Sequence, residues 1–264
     1  PLNVRLTGPE LAYNLNHSEA RFCIVHATLL PVLEPFLSRL ATVETLFVAG
    51  SDHAVGGIEP FEALFDKSSP VTAWIDTPEE TPVIILYTSG TTARPKEVTH
   101  TQGSLGNTVS YYLQAVNMQD SDVVMGMLSM AHIFAYALLL LPSLCVGATV
   151  IVMPGNDPEK TLELITRHRV TRLYGLPVMF NALIDTATTA AFDASSLRYC
   201  LGGGDAISPA LNDSMRRVFG ADIHQACGMT EVIPYCFNRP GYENRVGTIG
   251  IPSLADIPHP YSEN

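Results

Sequence analysis

With 264 residues, 47% hydrophobic and 16% charged, the chain has the composition of a folded protein with a substantial core, which excludes a disordered one. Its formal net charge of -11 argues against a nucleic-acid partner, whose phosphates require clustered Lys and Arg. The five cysteines, odd in number and without a Cys-x-x-Cys spacing, point to reduced thiols in a cytoplasmic protein.

Along the chain, Thr7 to Leu15 carries a helix-start pattern, with Pro9 and Glu10 near its front. Ala20 to His26 reads as a strand, Leu30 to Leu40 as a helix and Val43 to Val48 as a second strand, together a βαβ unit. Residues 51–81 are rich in Gly, Pro, Asp, Ser and Glu and read as a connector, with one helix around Phe61 to Phe65. Pro82 to Tyr87 is an apolar strand running into a loop, after which Thr101 to Gln114 is helical.

Downstream the alternation continues: strands over Val123–Leu128, Thr149–Met153, Arg172–Gly175, Leu197–Leu201 and Asp222–Ala226, and helices over Ile133–Leu141, Pro158–His168, Pro177–Ile184 and Pro209–Phe219. The pattern predicts an α/β fold with parallel or mixed sheets flanked by helices. The most apolar run, Ala135 to Val152, is broken by Pro142, Gly147 and Thr149, so it predicts a buried helix, a turn and a strand, with no transmembrane segment. Asp256 to Asn264 reads as a frayed tail. The start at Pro1, with neither Met nor a signal-peptide pattern, suggests a fragment or a processed chain.

The chemistry-bearing segment is Tyr87-Thr88-Ser89-Gly90-Thr91-Thr92-Ala93-Arg94-Pro95-Lys96. Hydroxyls, a glycine and a lysine follow a buried strand, a composition that suits a polyphosphate and also suits a plain surface turn. The spacing is not that of a Walker loop, and Gly202-x-Gly204 is followed by Ile207 where a dinucleotide fingerprint has Gly or Ala. The string resembles the phosphate-binding signature Y-T-S-G-T-T-G-x-P-K-G of the adenylate-forming acyl-CoA synthetase and 4-coumarate–CoA ligase-like family.

Further segments resemble that family in type and order. Ala131-His132-Ile133-Phe134-Ala135 is similar to its His-aromatic segment, Gln225-Ala226-Cys227-Gly228-Met229-Thr230-Glu231 to its G-Y-G-M-T-E, and Gly202-Gly203-Gly204-Asp205-Ala206 to its glycine-rich strand end. Val246-Gly247-Thr248-Ile249-Gly250-Ile251-Pro252 is similar to the stretch that follows, so the resemblance runs from about Leu6 to Pro252.

The resemblance implies an ATP-dependent carboxylate–CoA ligase with ATP, Mg²⁺ and CoA as cofactors. It implies that Thr88, Ser89, Gly90, Thr91, Thr92 and Lys96 hold phosphates. Gly203, Gly204, Asp205, Ala226, Cys227, Gly228 and Met229 line the nucleotide and acyl pocket. Thr230 contacts phosphate, Glu231 holds Mg²⁺ and His132 lies beside the acid, which makes His132, Thr230 and Lys96 the candidate catalytic residues. A Thr-Glu pair is also a common helix N-cap, and a lone His beside an apolar helix is also a packed histidine. Amino-acid-activating members of the family are expected to carry an Asp near the His-aromatic segment; Leu128 to Phe134 holds none, so the resemblance implies as small-molecule partner a fatty, aryl or other plain carboxylic acid over an amino acid.

Ala93 and Glu97 stand where the family has Gly, and Cys227 replaces its adenine-stacking aromatic. The family's T-G-D segment and C-terminal lysine domain lie beyond Pro252 and are not in this chain. The expected organisation is therefore an N-terminal βαβ portion and connector (1–80), a phosphate, Mg²⁺ and acyl-pocket core (81–254) and a tail (255–264). The 264-residue chain is expected to turn over little in the complete reaction. The alternative is a degenerate, non-catalytic nucleotide-binding or interaction module, and a homo-oligomer is compatible with either reading.

Overall fold

Apolar periods of two and of about 3.6 alternate along the chain, and each period folds into its own layer. The computed structural model describes residues 1–51, 58–66, 73, 75–88 and 95–253. The chain divides into two compact units, Pro1–Thr77 with Ser89–Lys96, and Pro78–Thr88 with Glu97–Asn264.

In the first unit, α1 (Gly8–His17) starts on a capping box between Thr7 and Glu10. β1 (Phe22–His26), α2 (Leu30–Leu33), a 3₁₀ turn (Glu34–Arg39), β2 (Thr45–Ala49), β3 (Ile58–Pro60) and α3 (Ala63–Asp66) follow. The strands form a parallel sheet in the order β1-β2-β3. Leu15, Cys23, Leu33, Leu46, Val48 and Ile58 are its core. Two expectations are corrected. The Leu30–Leu40 helix breaks into an α-turn and a 3₁₀ turn where Pro35 removes an amide donor, and the connector contributes the strand β3.

The second unit begins with β4 (Pro82–Thr88), β5 (Lys96–Thr101) and α4 (Gln102–Val116). β4 and β5 make a two-stranded sheet. β6 (Val123–Gly126), α5 (Ile133–Ala135), a π-helical turn (Tyr136–Leu140), α6 (Leu141–Val146), β7 (Thr149–Ile151), α7 (Pro158–His168), β8 (Arg172–Gly175) and α8 (Pro177–Ala187) follow. The described part ends with β9 (Tyr199–Gly202), α9 (Pro209–Phe219), β10 (Ile223–Met229), β11 (Val232–Phe237) and β12 (Ile251–Pro252).

The seven-stranded sheet runs β12-β11-β10-β9-β8-β6-β7. It is parallel from β10 to β7 and antiparallel over β10, β11 and β12. Alternate residues of the central strands feed two cores. Met125, Leu173, Cys200 and Ile223 pack with α7, α8 and α9 through Leu162, Ile165, Phe180, Leu183, Leu211 and Met215. Val124, Tyr174, Tyr199 and Leu201 pack with Tyr112 and Val116 of α4 and with Leu138 and Leu139. Helices on both faces of a largely parallel sheet bury each strand on two sides, as near-continuous apolar strands require. The unit is thus a mixed-sheet α/β layer structure.

The expected helix over Ile133–Leu141 contains a π-helical turn, a feature that in other proteins clusters at functional sites. No described helix is long and apolar enough to cross a membrane.

Candidate active site

Three loops follow the carboxyl ends of parallel strands of one sheet, where open α/β sheets bind ligands. β6 ends at Gly126 and leads to His132, β9 ends at Gly202 and leads to Gly203, Gly204 and Asp205, and β10 ends at Met229 and leads to Thr230 and Glu231. After β6 the chain moves to β7 on one side and returns to β8 on the other, so the loop bearing His132 leaves the sheet where its winding reverses.

His132 is the N-cap of α5. Its Nδ1 accepts the Phe134 amide N–H at 3.2 Å, so the neutral ring carries its proton on Nε2. Surrounding protein desolvates the ring and lowers its pKa, which favours the neutral form. Over the whole residue, His132 is nonetheless exposed.

Phe134, two residues on, is buried and brings this loop to the glycine loop. A Cβ on Gly203 would stand 3.1 Å from the Phe134 ring and 3.1 Å from the Ala226 carbonyl oxygen. A side chain here would need the ring or the carbonyl to give by a few tenths of an ångström, which glycine avoids. Gly204 has φ +80°, a left-handed conformation that turns the chain away, with Leu176 beneath it. Asp205 is exposed, and its carboxylate accepts the Ala206 N–H at 2.7 Å. Gln225 Oε1 accepts the Ile207 N–H at 3.0 Å and ties this loop to β10.

Ala226 is buried, and the Cys227 sulfur lies 2.8 Å from the Tyr235 hydroxyl of β11. The Gly228 backbone packs against Val232 and Ile233, and the β10–β11 register slips between Cys227 and Met229. Thr230 and Glu231 form a two-residue hairpin turn, since Met229 pairs with Val232. The Thr-Glu pair therefore caps no helix, which corrects the alternative reading from composition. Glu231 is exposed at the tip, and the Thr230 carbonyl accepts a 2.7 Å hydrogen bond from Nε2 of the buried His100.

Thus Phe134, Gly203 and Ala226 meet, with His132 two residues from Phe134 along the chain, and Thr230 and Glu231 close the strand that carries Ala226. Thr88 ends β4 half-buried, and Lys96 opens β5 exposed, not within a loop as its composition suggested. Ser89, Gly90, Thr91, Thr92 and Ala93 lie outside the described residues. Sequence reasoning missed His100, because it assigned no element to residues 97–100 and began a helix at Thr101. The β-branched residues Val98, Thr99 and Thr101 were the available strand signal.

Among the described residues no group of three or more His, Cys, Asp or Glu gathers as a metal cage. A single exposed carboxylate beside a threonine is a donor set that fits a hard cation arriving with its own phosphate oxygens.

A family model for AMP-binding enzymes matches residues 1–257. The chain belongs to this family. Among curated relatives, the chain is similar to the 3-methylmercaptopropionyl-CoA ligase of Ruegeria pomeroyi, 33% identical over 88% of this chain and 44% of that protein. It is likewise similar to the benzoate–CoA ligase of Thauera aromatica, 29% identical over 95% of this chain and 47% of the relative. Among solved structures, an anthranilate CoA ligase in complex with anthranoyl-AMP matches with a TM-score of 0.88 and 27% identity, over 95% of this chain and 49% of that one. A long-chain-fatty-acid-CoA ligase from Archaeoglobus fulgidus matches with a TM-score of 0.85 and 28% identity, over 96% of this chain and 51% of that one. The chain thus spans about half the length of these relatives.

Proposed function

We propose that the chain is the nucleotide- and acid-binding part of an ATP-dependent carboxylate–CoA ligase. The parent enzyme joins a carboxylic acid to ATP as an acyl-adenylate, releasing pyrophosphate, and passes the acyl group to CoA. The observation that supports this reading is that His132, the Gly203–Gly204–Asp205 loop and the Thr230–Glu231 turn each follow the carboxyl end of a strand of one sheet, β6, β9 and β10. Adenylation needs little covalent help from protein. It needs the acid oxygen held in line with the α-phosphate and the developing charge stabilised.

In this reading His132 Nε2–H faces the acid carboxylate as a neutral donor. The close-packed backbone at Gly203, Gly204 and Ala226 to Met229 lines the adenine and acyl groups. Thr88, Ser89, Gly90, Thr91, Thr92, Lys96 and Thr230 bind phosphate oxygens. Glu231 holds Mg²⁺, which neutralises phosphate charge when bound. The acid is fatty or aryl, in keeping with the benzoate and anthranilate ligases among the relatives.

The test is calorimetric titration of the 264-residue chain with Mg-ATP beside the double variant Lys96→Ala, Glu231→Ala. Saturable binding that the variant loses is expected. A wild-type chain that binds no Mg-ATP overturns the reading and leaves the non-catalytic module, which Glu97 and Cys227 favour by placing a charge and a thiol where relatives of the resemblance carry Gly and an aromatic.

A further inference from the structure

The turn that carries Thr230 and Glu231 is not held by its own geometry. Two-residue hairpins match the twist of their strands when their central residues take positive φ. Neither Thr230 nor Glu231 does so. The slipped register before Met229 loosens the ladder at the same end. The turn therefore needs an outside tie to keep one orientation.

His100 supplies one. It is 9% exposed, and its Nε2 lies 2.7 Å from the Thr230 carbonyl oxygen, 130 residues away in sequence. A carbonyl only accepts, so Nε2 carries the proton. The imidazole is itself firmly mounted. The next residue, Thr101, is the N-cap of α4: its Oγ1 accepts the Ser104 N–H at 3.2 Å, and its own N–H is donated to Ser104 Oγ at 2.9 Å. α4 is anchored in turn by buried Leu105, Val109, Tyr112 and Val116.

We propose that His100 is a positioning residue: its Nε2–H to Thr230 bond fixes the orientation in which Glu231 meets a cation and Thr230 meets phosphate. The proposal rests on the ligase reading for the roles of Thr230 and Glu231. The tie also links the turn to β5, the strand that opens with Lys96.

The test compares wild type, His100→Gln and His100→Ala for binding of Mg-ATP and of ATP with the metal chelated, with unfolding followed separately. Gln retains an N–H donor near the Nε2 position. Expected are wild-type affinity in His100→Gln and a roughly tenfold loss of Mg-ATP affinity in His100→Ala, the scale of one hydrogen bond, with a smaller loss for metal-free ATP, which keeps only the Thr230 contact. A purely structural histidine would lower the unfolding midpoint of His100→Ala while its folded form bound Mg-ATP as wild type does, and that result overturns the proposal alone. A wild type that binds no Mg-ATP overturns the ligase reading and this proposal together. Should His100→Ala not fold, ¹⁵N NMR of the wild-type imidazole decides: a protonated Nε2 is expected, and a bare Nε2 with the proton on Nδ1 overturns the tie.

Discussion

The Asp122 carboxylate binds Arg172 Nε at 2.7 Å with both side chains out of water. Arg172 also donates to the Val116 and Asn117 carbonyls, and Asp122 accepts from the Thr171 hydroxyl, the Gln119 amide and Arg198. The pair joins the loop after α4 to β8 beneath the sheet. Removing one member leaves the other charge buried, so Asp122→Asn should cost about 3–5 kcal/mol in urea unfolding. Burial pushes the Asp122 pKa up, but the bonds from Thr171, Gln119 and Arg172 outweigh it and leave the carboxyl below its ordinary value. A carboxyl with a depressed folded pKa stabilises above its unfolded pKa, and the contribution is lost as pH falls through the folded one. Wild-type stability should therefore drop below about pH 4, the unfolded value, and Asp122→Asn should flatten that part of the profile.

His132 should titrate below an ordinary imidazole. Desolvation is the cause, and Nδ1 already accepts the Phe134 N–H. Protonation is thus favoured more in the unfolded chain, so this contribution to stability is lost as pH falls from the unfolded value through the folded one. Two-dimensional NMR of the ring should find the Nε2–H tautomer and a depressed midpoint. A ring that titrates at or above the unfolded value would remove the neutral-donor role.

Much of this architecture was legible because the apolar periods are strong. The helices Pro158–His168 and Pro209–Phe219 and the strand Arg172–Gly175 stand where their patterns put them. What escaped was set by tertiary pairing. β3 spans three residues and is a strand only because β2 lies beside it, and β5 carries five polar residues that mask its period. The candidate site could be proposed from motifs, but its contacts could not. No local signal says that His100 reaches the Thr230 carbonyl or that Phe134 lies over Gly203. The change of the Thr-Glu pair from a helix cap to a hairpin turn follows from β11, which pairs back onto β10.

Gly250 and Gly241 offer a matched pair. Both have left-handed backbones, at φ +84° and +85°. A Cβ on Gly241 meets nothing within 4 Å, so Gly241→Ala should cost only backbone strain, about 1–2 kcal/mol. A Cβ on Gly250 would stand 2.0 Å from the Phe237 carbonyl carbon, where no side chain can yield. Gly250→Ala should be distinctly worse in thermal unfolding and should separate β12 from β11. Equal melting losses in the two variants would contradict the packing.

Gly203 sits where the His132 and glycine loops meet, and its contacts define a double-mutant cycle. In Gly203→Ala the new methyl meets the Phe134 ring and the Ala226 carbonyl oxygen together. The ring can turn but the carbonyl is part of β10, so overpacking should cost about 1–3 kcal/mol. In a Phe134→Ala background one of the two obstacles is gone, and the same substitution should cost less. Residues in contact typically couple by about 0.5–3 kcal/mol, which urea unfolding of the four proteins resolves. The cycle also separates stability from binding. If Gly203 lines the nucleotide and acyl groups, Gly203→Ala should still weaken Mg-ATP binding in the Phe134→Ala background, because the methyl occupies ligand space whether or not the ring is there. Full recovery of affinity there would mean that Gly203 serves packing alone.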